Sequence, residues 1–220
     1  MLYGFSPSVV PMPADWGPAN HITGYWFLDP AEDWTPPAAL LKFLQAGPAP
    51  VYIGFGSMSS RKPEETAELV IKALKKTNQR ALLFSGWGGL HKEGLPDSLF
   101  MIDTTPHAWL FPRMAAVVHH GGAGTTASGL RAGVPSIVVP FFGDQAFWGK
   151  RVHDLGVGPA PIPRKKLSVD VLAQAIQESV TNSAMQQRAA DLGSKIRAED
   201  GIANAVEIIQ NHFTGYHPVH

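Results

Sequence analysis

The sequence lacks cysteine, an excess of charge of either sign and a long apolar run. Without cysteine, the chain has no disulfide, no thiolate metal ligand and no cysteine nucleophile, which fits a reducing compartment. Lys and Arg number 18, as do Asp and Glu, so a general attraction to nucleic acid is not expected. No apolar run approaches the ~20 residues that span a bilayer, and the N-terminus does not resemble a targeting signal. We therefore expect a cytoplasmic protein.

Residues 1–50 are rich in proline, in stretches such as "SPSVVPMPADWGP" and "DWTPPAALLKFLQAGPAP". Proline has a fixed φ and no backbone N–H, so this composition favours irregular connections over helices and strands. We predict an interdomain linker over residues 1–49, with a further domain upstream, and a folded domain over residues 50–220. The chain has 220 residues, 45% of them hydrophobic, which is enough for one sizeable core.

From residue 50 onward, short apolar runs alternate with amphipathic helical stretches. Buried strands are predicted at 51–57, 80–86 and 99–104, in "AAVVHHGG", at 135–140 and, briefly, in "APIPR". Helices are predicted at 63–77, 109–114, 123–132, 145–155, 168–181, 183–198 and 201–213. This alternation is typical of the α/β class and predicts a Rossmann-like parallel sheet with helices on both faces.

Clusters of Gly, Ser, His and Asp follow the predicted strands: "GFGS", "SGWGG", "TTPH", "HHGGAGTT" and "FFGDQ". In an open parallel sheet, ligands bind outside the carboxyl ends of the strands, where the strand order reverses. We therefore expect the functional site at this edge of the sheet.

The stretch "HHGGAGTT" (residues 119–126) combines a strand end with small residues and a helix start. Its glycines let a ligand approach the backbone, and the amides of the helix that begins near Ala123 favour an anion. The candidate contacts are Gly121, Gly122, Gly124 and the hydroxyl groups of Thr125 and Thr126. No lysine follows, so this is not a Walker A loop, and it is not G-x-G-x-x-G. A tight turn needed only for packing is the alternative.

His119 and His120 are adjacent on a strand, so their side chains point to opposite sides. One is expected to be a buried structural histidine, and the other to donate a hydrogen bond to the anion.

Asp144 and Gln145 follow the fifth predicted strand. A carboxylate beside an amide suits vicinal hydroxyl groups, which both donate and accept, so the pair suggests a sugar. A helix N-cap at Asp144 is the alternative. The sequence has no D-x-D and no histidines at metal-ligand spacing, so we expect no metal and no cofactor, with the anion neutralised by amides, hydroxyls and histidine.

The motifs also carry a family resemblance. The segment "VVHHGGAGTTASGLRAGVPSIVVPFFGDQAFWGKRVHDLGVGPAPIPRKKLS" resembles the donor-binding region of the UDP-glucose:sterol glucosyltransferases, which are GT-B glycosyltransferases. "GFGSM", "TTPHAWLFPR" and "EDGIANAVEII" are similar to that family too. The resemblance implies the C-terminal half of a GT-B enzyme, which binds UDP-glucose. The sterol acceptor and the catalytic base belong to an N-terminal half, so no catalytic residue is assigned here.

The resemblance assigns donor contacts by position in the motifs. These are Ser57 near the diphosphate, His120, Gly122, Gly124 and Thr125 on its phosphates, Asp144 and Gln145 on the glucose hydroxyls, and the backbone beside His107 at the uracil edge. Related plant enzymes have a tryptophan for uracil stacking near Thr104, so Trp87 is the candidate platform here. Trp109 and Trp148 are expected to be core anchors.

Three alternatives to sterol glucosylation are a transferase for an antibiotic or glycolipid that uses another nucleotide sugar, a UDP-sugar epimerase, and a non-catalytic UDP-sugar-binding module. Because sterols are lipids, the complete enzyme is expected to visit a membrane surface. The chain shows no strongly basic amphipathic helix that would make such a contact itself.

Overall fold

A computed structural model of the chain describes residues 1–28, 34–55, 63–84 and 95–214. The predicted donor contacts Ser57 and Trp87 lie outside these residues. The elements in chain order are β1 (Leu2–Tyr3), β2 (His21–Ile22), α1 (Ala38–Gln45), β3 (Val51–Gly54), α2 (Pro63–Thr77), β4 (Ala81–Phe84), β5 (Leu99–Ile102), α3 (His107–Leu110), β6 (Ala116–His119), α4 (Ala123–Ala132), β7 (Ser136–Val138), α5 (Gln145–Asp154), α6 (Val169–Thr181), α7 (Ser183–Arg197) and α8 (Gly201–Thr214). Within this part of the chain, no helix has the length and apolarity needed to cross a bilayer.

The main sheet has five parallel strands in the order β5-β4-β3-β6-β7. The first strand of this sheet, β3, therefore lies in the middle, with later strands added on one side and then on the other. This is the strand order of a Rossmann-like fold, and it reverses between β3 and β6. The predicted α/β class and parallel sheet are confirmed.

Helices cover both faces of the sheet, as predicted. On one face, Ile53 and Val118 pack in a cluster with α2 and α6, to which Leu74 and Ile176 contribute. Because side chains alternate along a strand, the neighbouring residues belong to the other face. There, Tyr52, Leu82 and Val117 pack with α1 and α3, and Val138 packs with α4, α5 and α7.

The short strand expected in "APIPR" does not form. Ile162 N–H does donate to the Val138 carbonyl at 2.9 Å, so the segment runs beside the edge strand β7. Pro161 and Pro163, on either side of Ile162, have no N–H with which to continue the ladder. A 3-10 turn at Arg164–Lys166 follows instead.

Residues 1–49 contain more regular structure than their proline content predicts. Pro37 is the N-cap of α1, a position where no amide hydrogen is required, and Leu40 and Phe43 bury one side of that helix. Strands β1 and β2 pair in parallel as a separate small sheet. The division at residue 49 into linker and domain stays a prediction.

We refer to residues 1–28 as the N-terminal segment. It packs on the rest of the chain through polar contacts and through the apolar cluster beneath α4, α5 and α7. Arg151 donates to the Val9 carbonyl through Nε at 3.0 Å and Nη2 at 2.5 Å. Asn204 Nδ2 donates to the Thr23 carbonyl at 2.9 Å, which ties α8 to the same segment.

Candidate functional site

The strand order reverses at the carboxyl ends of β3 and β6, where Gly54 is paired with His119. A side chain at position 54 would overlap the Tyr52 hydroxyl, because the Tyr52 ring bends over Gly54 toward the end of the strand. The surface at the point where the strand order reverses is therefore formed by the backbone of Gly54 and the ring of Tyr52. The loop after β6, residues 120–122, leads from this point into α4.

Gly121 makes the turn between β6 and α4 possible. Its φ is +89°, in the left-handed region, and a Cβ there would lie 2.6 Å from Val138 Cγ1. Both the backbone conformation and the packing therefore require glycine. The alternative of a turn needed for packing accounts for Gly121 and, because the His120 ring lies close, also for Gly122, but not for Gly124.

Gly122 and Gly124 lie at the exposed start of α4. Gly122 is the N-cap, with no side-chain cap on the helix, and a Cβ at Gly124 would meet no atom within 4 Å. The amides of the first turn have no acceptor within the helix, and the described residues offer them none from elsewhere. This end of α4 is therefore an open row of N–H donors.

The two threonines of the motif differ in their surroundings. Thr126 is fully buried and its hydroxyl donates to the Gly122 carbonyl at 3.0 Å, so the expectation that it adds a donor to the anion site is wrong. Thr125 is partly exposed at the mouth of the turn. The structure therefore leaves Thr125 as the candidate hydroxyl donor.

His119 is the buried member of the histidine pair. Its side chain is fully buried, and Nδ1 accepts the Gly121 N–H at 3.0 Å, which stabilises the turn. Burial is the main cause that lowers the pKa of His119 to about 3. The ring is therefore neutral at pH 7, with its proton on Nε2, because Nδ1 acts as an acceptor.

His120 is only partly buried and faces the glycine turn. Its Nε2 lies so close to Gly122 that a Cβ there would come within 2.5 Å of it. Burial lowers the pKa of His120, and the nearby Asp144 carboxylate acts in the opposite direction. As expected for adjacent strand residues, one histidine is internal and the other lies next to the open amides.

Asp144 does not cap α5 with its side chain. Its Oδ2 instead accepts the indole N–H of Trp148 at 2.8 Å, one turn later on the helix, while the residue itself is exposed. The alternative of a side-chain N-cap is therefore excluded. Trp148 is 8% exposed, in line with the expected core anchor, but it also fixes the position of the carboxylate. Trp109 is partly buried and packs against the core cluster that contains Tyr52 and Phe111.

Gln145 is buried and its side-chain oxygen accepts the N–H groups of Phe141 and Phe142, at 2.7 and 3.1 Å. The side chain therefore holds the loop between β7 and α5. In the structure, Oε1 thus accepts hydrogen bonds from the protein backbone. The expected contact between Gln145 and the sugar hydroxyls stays a prediction.

His107 begins α3, directly after Pro106. Its ring stacks on Phe111 with centroids 4.2 Å apart and contacts the edge of Tyr52. Burial lowers the pKa of His107 to about 4, with His120 as a second cause. The side chain is thus a packing group, and the prediction for this position concerns only the neighbouring backbone.

The structure brings His120, the start of α4 and Asp144 together on one rim of the sheet. His107 lies near this rim: in addition to burial, His120 lowers the pKa of His107, and His107 contributes to lowering the pKa of His119. In the described ranges, no three His, Asp or Glu side chains are grouped as a metal site would require. Sequence reasoning missed the hydrogen bond from Trp148 to Asp144, although the i, i+4 spacing of the two residues on one helix would have revealed it.

The fold and this rim define a Rossmann-like α/β domain with a row of unpaired backbone amides at its switch point. Comparison with known proteins identifies the family to which this domain belongs. The C-terminal domain model of erythromycin biosynthesis protein CIII-like proteins matches residues 89–211, more than half of the chain. The chain belongs to this family.

Curated relatives are sterol 3-beta-glucosyltransferases, so the resemblance inferred from the motifs is confirmed. The chain is 47% identical over 211 residues to sterol 3-beta-glucosyltransferase UGT80A2 of Arabidopsis thaliana, covering 96% of this chain and 33% of that protein. A sterol 3-beta-glucosyltransferase of Neosartorya fischeri is also 47% identical, over 220 residues, with 94% of this chain and 15% of that protein covered. The chain thus spans a third or less of these two proteins.

Solved structures with the same fold are glycosyltransferases. The glycotransferase of kitacinnamycin superposes with a TM-score of 0.77 at 21% identity, covering 96% of this chain and 54% of that one. The calicheamicin glycosyltransferase CalG4 gives a TM-score of 0.76 at 19% identity, covering 97% and 53%. At these identities the similarity establishes the fold, which is that of the C-terminal half of GT-B enzymes, as predicted.

Proposed function

We propose that this chain is the part of an inverting glycosyltransferase that binds UDP-glucose, and that the complete enzyme glucosylates a sterol or a similar lipid alcohol. The row of open amides at the start of α4, beside His120, is the observation that carries the proposal. The sterol acceptor is suggested by the names of the curated relatives.

In this proposal the diphosphate of UDP-glucose lies against the first turn of α4. The helix amides and the Thr125 hydroxyl donate to phosphate oxygens, and the helix dipole favours their charge. Neutral His120 donates one further N–H. The Asp144 carboxylate, held by Trp148, accepts from glucose hydroxyl groups.

The reaction places a growing negative charge on the departing UDP while the acceptor hydroxyl attacks the anomeric carbon from the opposite side. Donors that are already oriented stabilise this charge without reorganisation, and loss of one such donor typically costs about 3 to 4 kcal/mol of transition-state stabilisation. The role proposed for this chain is therefore donor binding and assistance to the leaving group. The base that deprotonates the acceptor is proposed to lie elsewhere in the complete enzyme.

Calorimetry with UDP tests the donor site in the chain as it stands. We expect UDP to bind, and His120→Ala to weaken binding by about 1.5 to 3 kcal/mol, the range for a hydrogen bond to a charged group. His153→Ala, a substitution on α5 away from the amides, serves as the control. No heat with UDP would refute the proposed donor site, and an unchanged dissociation constant for His120→Ala would remove His120 from it.

The nearest rival proposal is a transferase for another donor or acceptor. Competition between UDP-glucose and TDP-sugars for the site distinguishes donors, and tighter binding of a TDP-sugar would favour that rival. An epimerase would instead convert UDP-N-acetylglucosamine without any acceptor, which we do not expect from this chain.

A further inference from the structure

The histidine pair leaves two ring nitrogens buried and unpaired. Within the part of the chain that the structure describes, neither His119 Nε2 nor His120 Nδ1 has a hydrogen-bond partner, although both atoms are buried. Most buried polar groups in folded proteins are paired, either with protein atoms or with an ordered water molecule. Two such atoms on adjacent residues, beside the open amides of α4, therefore indicate a shared partner.

The unpaired nitrogen of His119 is a donor. Nδ1 of this ring accepts the Gly121 N–H at 3.0 Å, so it carries no proton. Burial lowers the pKa of His119 to about 3, which keeps the ring neutral at pH 7. A neutral imidazole has one proton, which must then lie on Nε2. His119 therefore offers a buried N–H that no group of the described chain accepts.

The unpaired nitrogen of His120 must be an acceptor if this residue is to donate to a diphosphate. His120 Nε2 lies on the side of the glycine turn, where a Cβ at Gly122 would come within 2.5 Å of it. A neutral ring can donate from Nε2 only while Nδ1 has no proton, and the hydrogen bond at Nδ1 decides which nitrogen is protonated. A donor next to Nδ1 therefore favours the form of His120 that the proposed function requires.

The distance between the two rings is compatible with a bridge of one water molecule. The ring centroids are 6.5 Å apart and the ring planes are nearly perpendicular, at 89°. Because each nitrogen lies close to its ring centroid, a direct hydrogen bond is excluded, and a water that accepts from one nitrogen and donates to the other can span the gap. The Tyr52 hydroxyl adds a third polar group beside His119, because it occupies the place of a side chain at Gly54, which is paired with His119 across the strands.

We propose that His119 is a positioning residue for His120. Through one bound water molecule, the Nε2–H of His119 is connected to His120 Nδ1, so the proton of His120 stays on Nε2 and faces the diphosphate of the donor. This inference rests on the proposed function, and it gives His119 a role beyond its contact with Gly121. His119 itself does not touch the ligand, because its side chain is fully buried.

A double-mutant cycle measured by UDP calorimetry tests whether His119 acts through His120. His119→Asn retains an acceptor for the Gly121 N–H, since Oδ1 of asparagine takes the place of Nδ1, and it removes the donor at Nε2. We expect the dissociation constant of UDP to rise about fivefold, and to change by less than about twofold when the same substitution is made in a His120→Ala background. An equal loss in both backgrounds, or no loss in either, would overturn the inference.

His119→Gln is the complementary variant. Its side-chain amide reaches as far as Nε2 of histidine and restores a donor there, while it lacks the acceptor for Gly121. We expect His119→Gln to bind UDP more tightly than His119→Asn, whereas a purely structural role of His119 in the turn would give the opposite order. Ser179→Ala is the matched control: Ser179 is also a fully buried polar residue, but its hydroxyl donates to the Ala175 carbonyl on α6, so UDP binding should not change.

The protonated nitrogen of His120 can also be observed directly, by NMR of the chain isotope-labelled at the histidine nitrogens. At pH 7 the proton should lie on Nε2 in the wild type, and His119→Asn should show a mixture of the two neutral forms. A proton on Nδ1 in the wild-type chain would overturn the inference even if His119→Asn did not fold. Absence of UDP binding to the wild type would refute the proposed function, whereas UDP binding without coupling between the two histidines would overturn the positioning role alone.

Discussion

At the scale of single residues, Trp148 connects the core to the proposed sugar site. Its ring is buried between the N-terminal segment and α4, so its indole N–H has little freedom. The Asp144 carboxylate, which is exposed, is therefore held by a rigid partner at 2.8 Å. Preorganisation of this kind reduces the entropy that a flexible surface carboxylate loses when it binds a ligand.

Trp148→Phe tests this connection, because it keeps an aromatic ring and removes the N–H. We expect the dissociation constant of UDP-glucose to rise about fivefold, equivalent to about 1 kcal/mol, and that of UDP to stay within about twofold. Only the sugar is proposed to contact Asp144, so the two ligands should respond differently. Calorimetry with both ligands measures the effect, and Phe147→Leu on the same helix is the control. An equal loss for UDP and UDP-glucose would indicate general damage rather than lost positioning.

His119 should make stability depend on pH. In the unfolded chain a histidine binds a proton below about pH 6.5, whereas burial keeps folded His119 neutral until about pH 3. The contribution of neutral His119 to the free energy of unfolding is therefore complete above about pH 6.5. It is lost as the pH falls from there toward 3, at about 1.4 kcal/mol per pH unit.

His119→Asn removes this titration and retains an acceptor for the Gly121 N–H. Urea unfolding between pH 4 and 7.5 should show a free energy of unfolding that falls less steeply for the variant, and a constant difference above pH 7. Parallel profiles for the two proteins would contradict the assignment of a neutral, buried His119.

At the scale of elements, the turn between β6 and α4 has a separate role for each glycine. Gly121 sets the backbone path, since φ is +89° and the Val138 side chain leaves no space. Gly124 lies in regular helix with open space around it, so it is not required by the fold. We therefore expect that Gly124 serves to leave space for a ligand at the start of α4.

Gly121→Ala and Gly124→Ala form a matched pair that separates these roles. Gly121→Ala should lower the free energy of unfolding by about 2 kcal/mol or more, because it adds both backbone strain and overlap. Gly124→Ala should raise it by about 0.5 kcal/mol, because alanine favours helix over glycine. Chemical unfolding of both variants measures the difference. Equal losses would contradict the distinction between the two positions.

At the scale of the whole molecule, the N-terminal segment forms one wall of a pocket of about 360 Å³, opposite residues of α4 and α5, so its attachment determines whether that pocket exists. The attachment depends on a few polar contacts in addition to the apolar cluster. Ser6 Oγ donates to Glu199 Oε1 at 2.6 Å, and Arg151 donates twice to the Val9 carbonyl.

Arg151→Ala should therefore loosen the N-terminal segment and leave the parallel sheet intact. Hydrogen exchange followed by mass spectrometry should show faster exchange around residues 6–10 and unchanged exchange in β3 and β6. Lys150→Ala is the control, because the Lys150 side chain is 71% exposed and pairs with Asp154 on its own helix. Faster exchange throughout the domain would show that Arg151 supports the whole fold instead.

The sequence by itself determined the alternation of strands and helices, the glycine turn after β6 and its suitability for an anion. These features follow from the period of apolar residues and from backbone rules that act over a few positions. The pairing of one inward and one outward histidine was predictable for the same reason. Which histidine would be buried did not follow from these rules, because that depends on the orientation of the whole strand in the sheet; only the family resemblance assigned the ligand side to His120.

Only the tertiary structure decided what the side chains at the rim do. In the folded chain, the Thr126 hydroxyl points inward, and the Gln145 side-chain oxygen accepts a hydrogen bond from the loop after β7. The Asp144 carboxylate accepts the indole N–H of Trp148, and the segment "APIPR" forms no strand. It also assembled a pocket from Tyr25, Gly124 and Trp148, which are far apart in the sequence. Local patterns cannot fix such contacts, because they arise from the packing of separate elements against one another, and that packing exists only once the chain has folded.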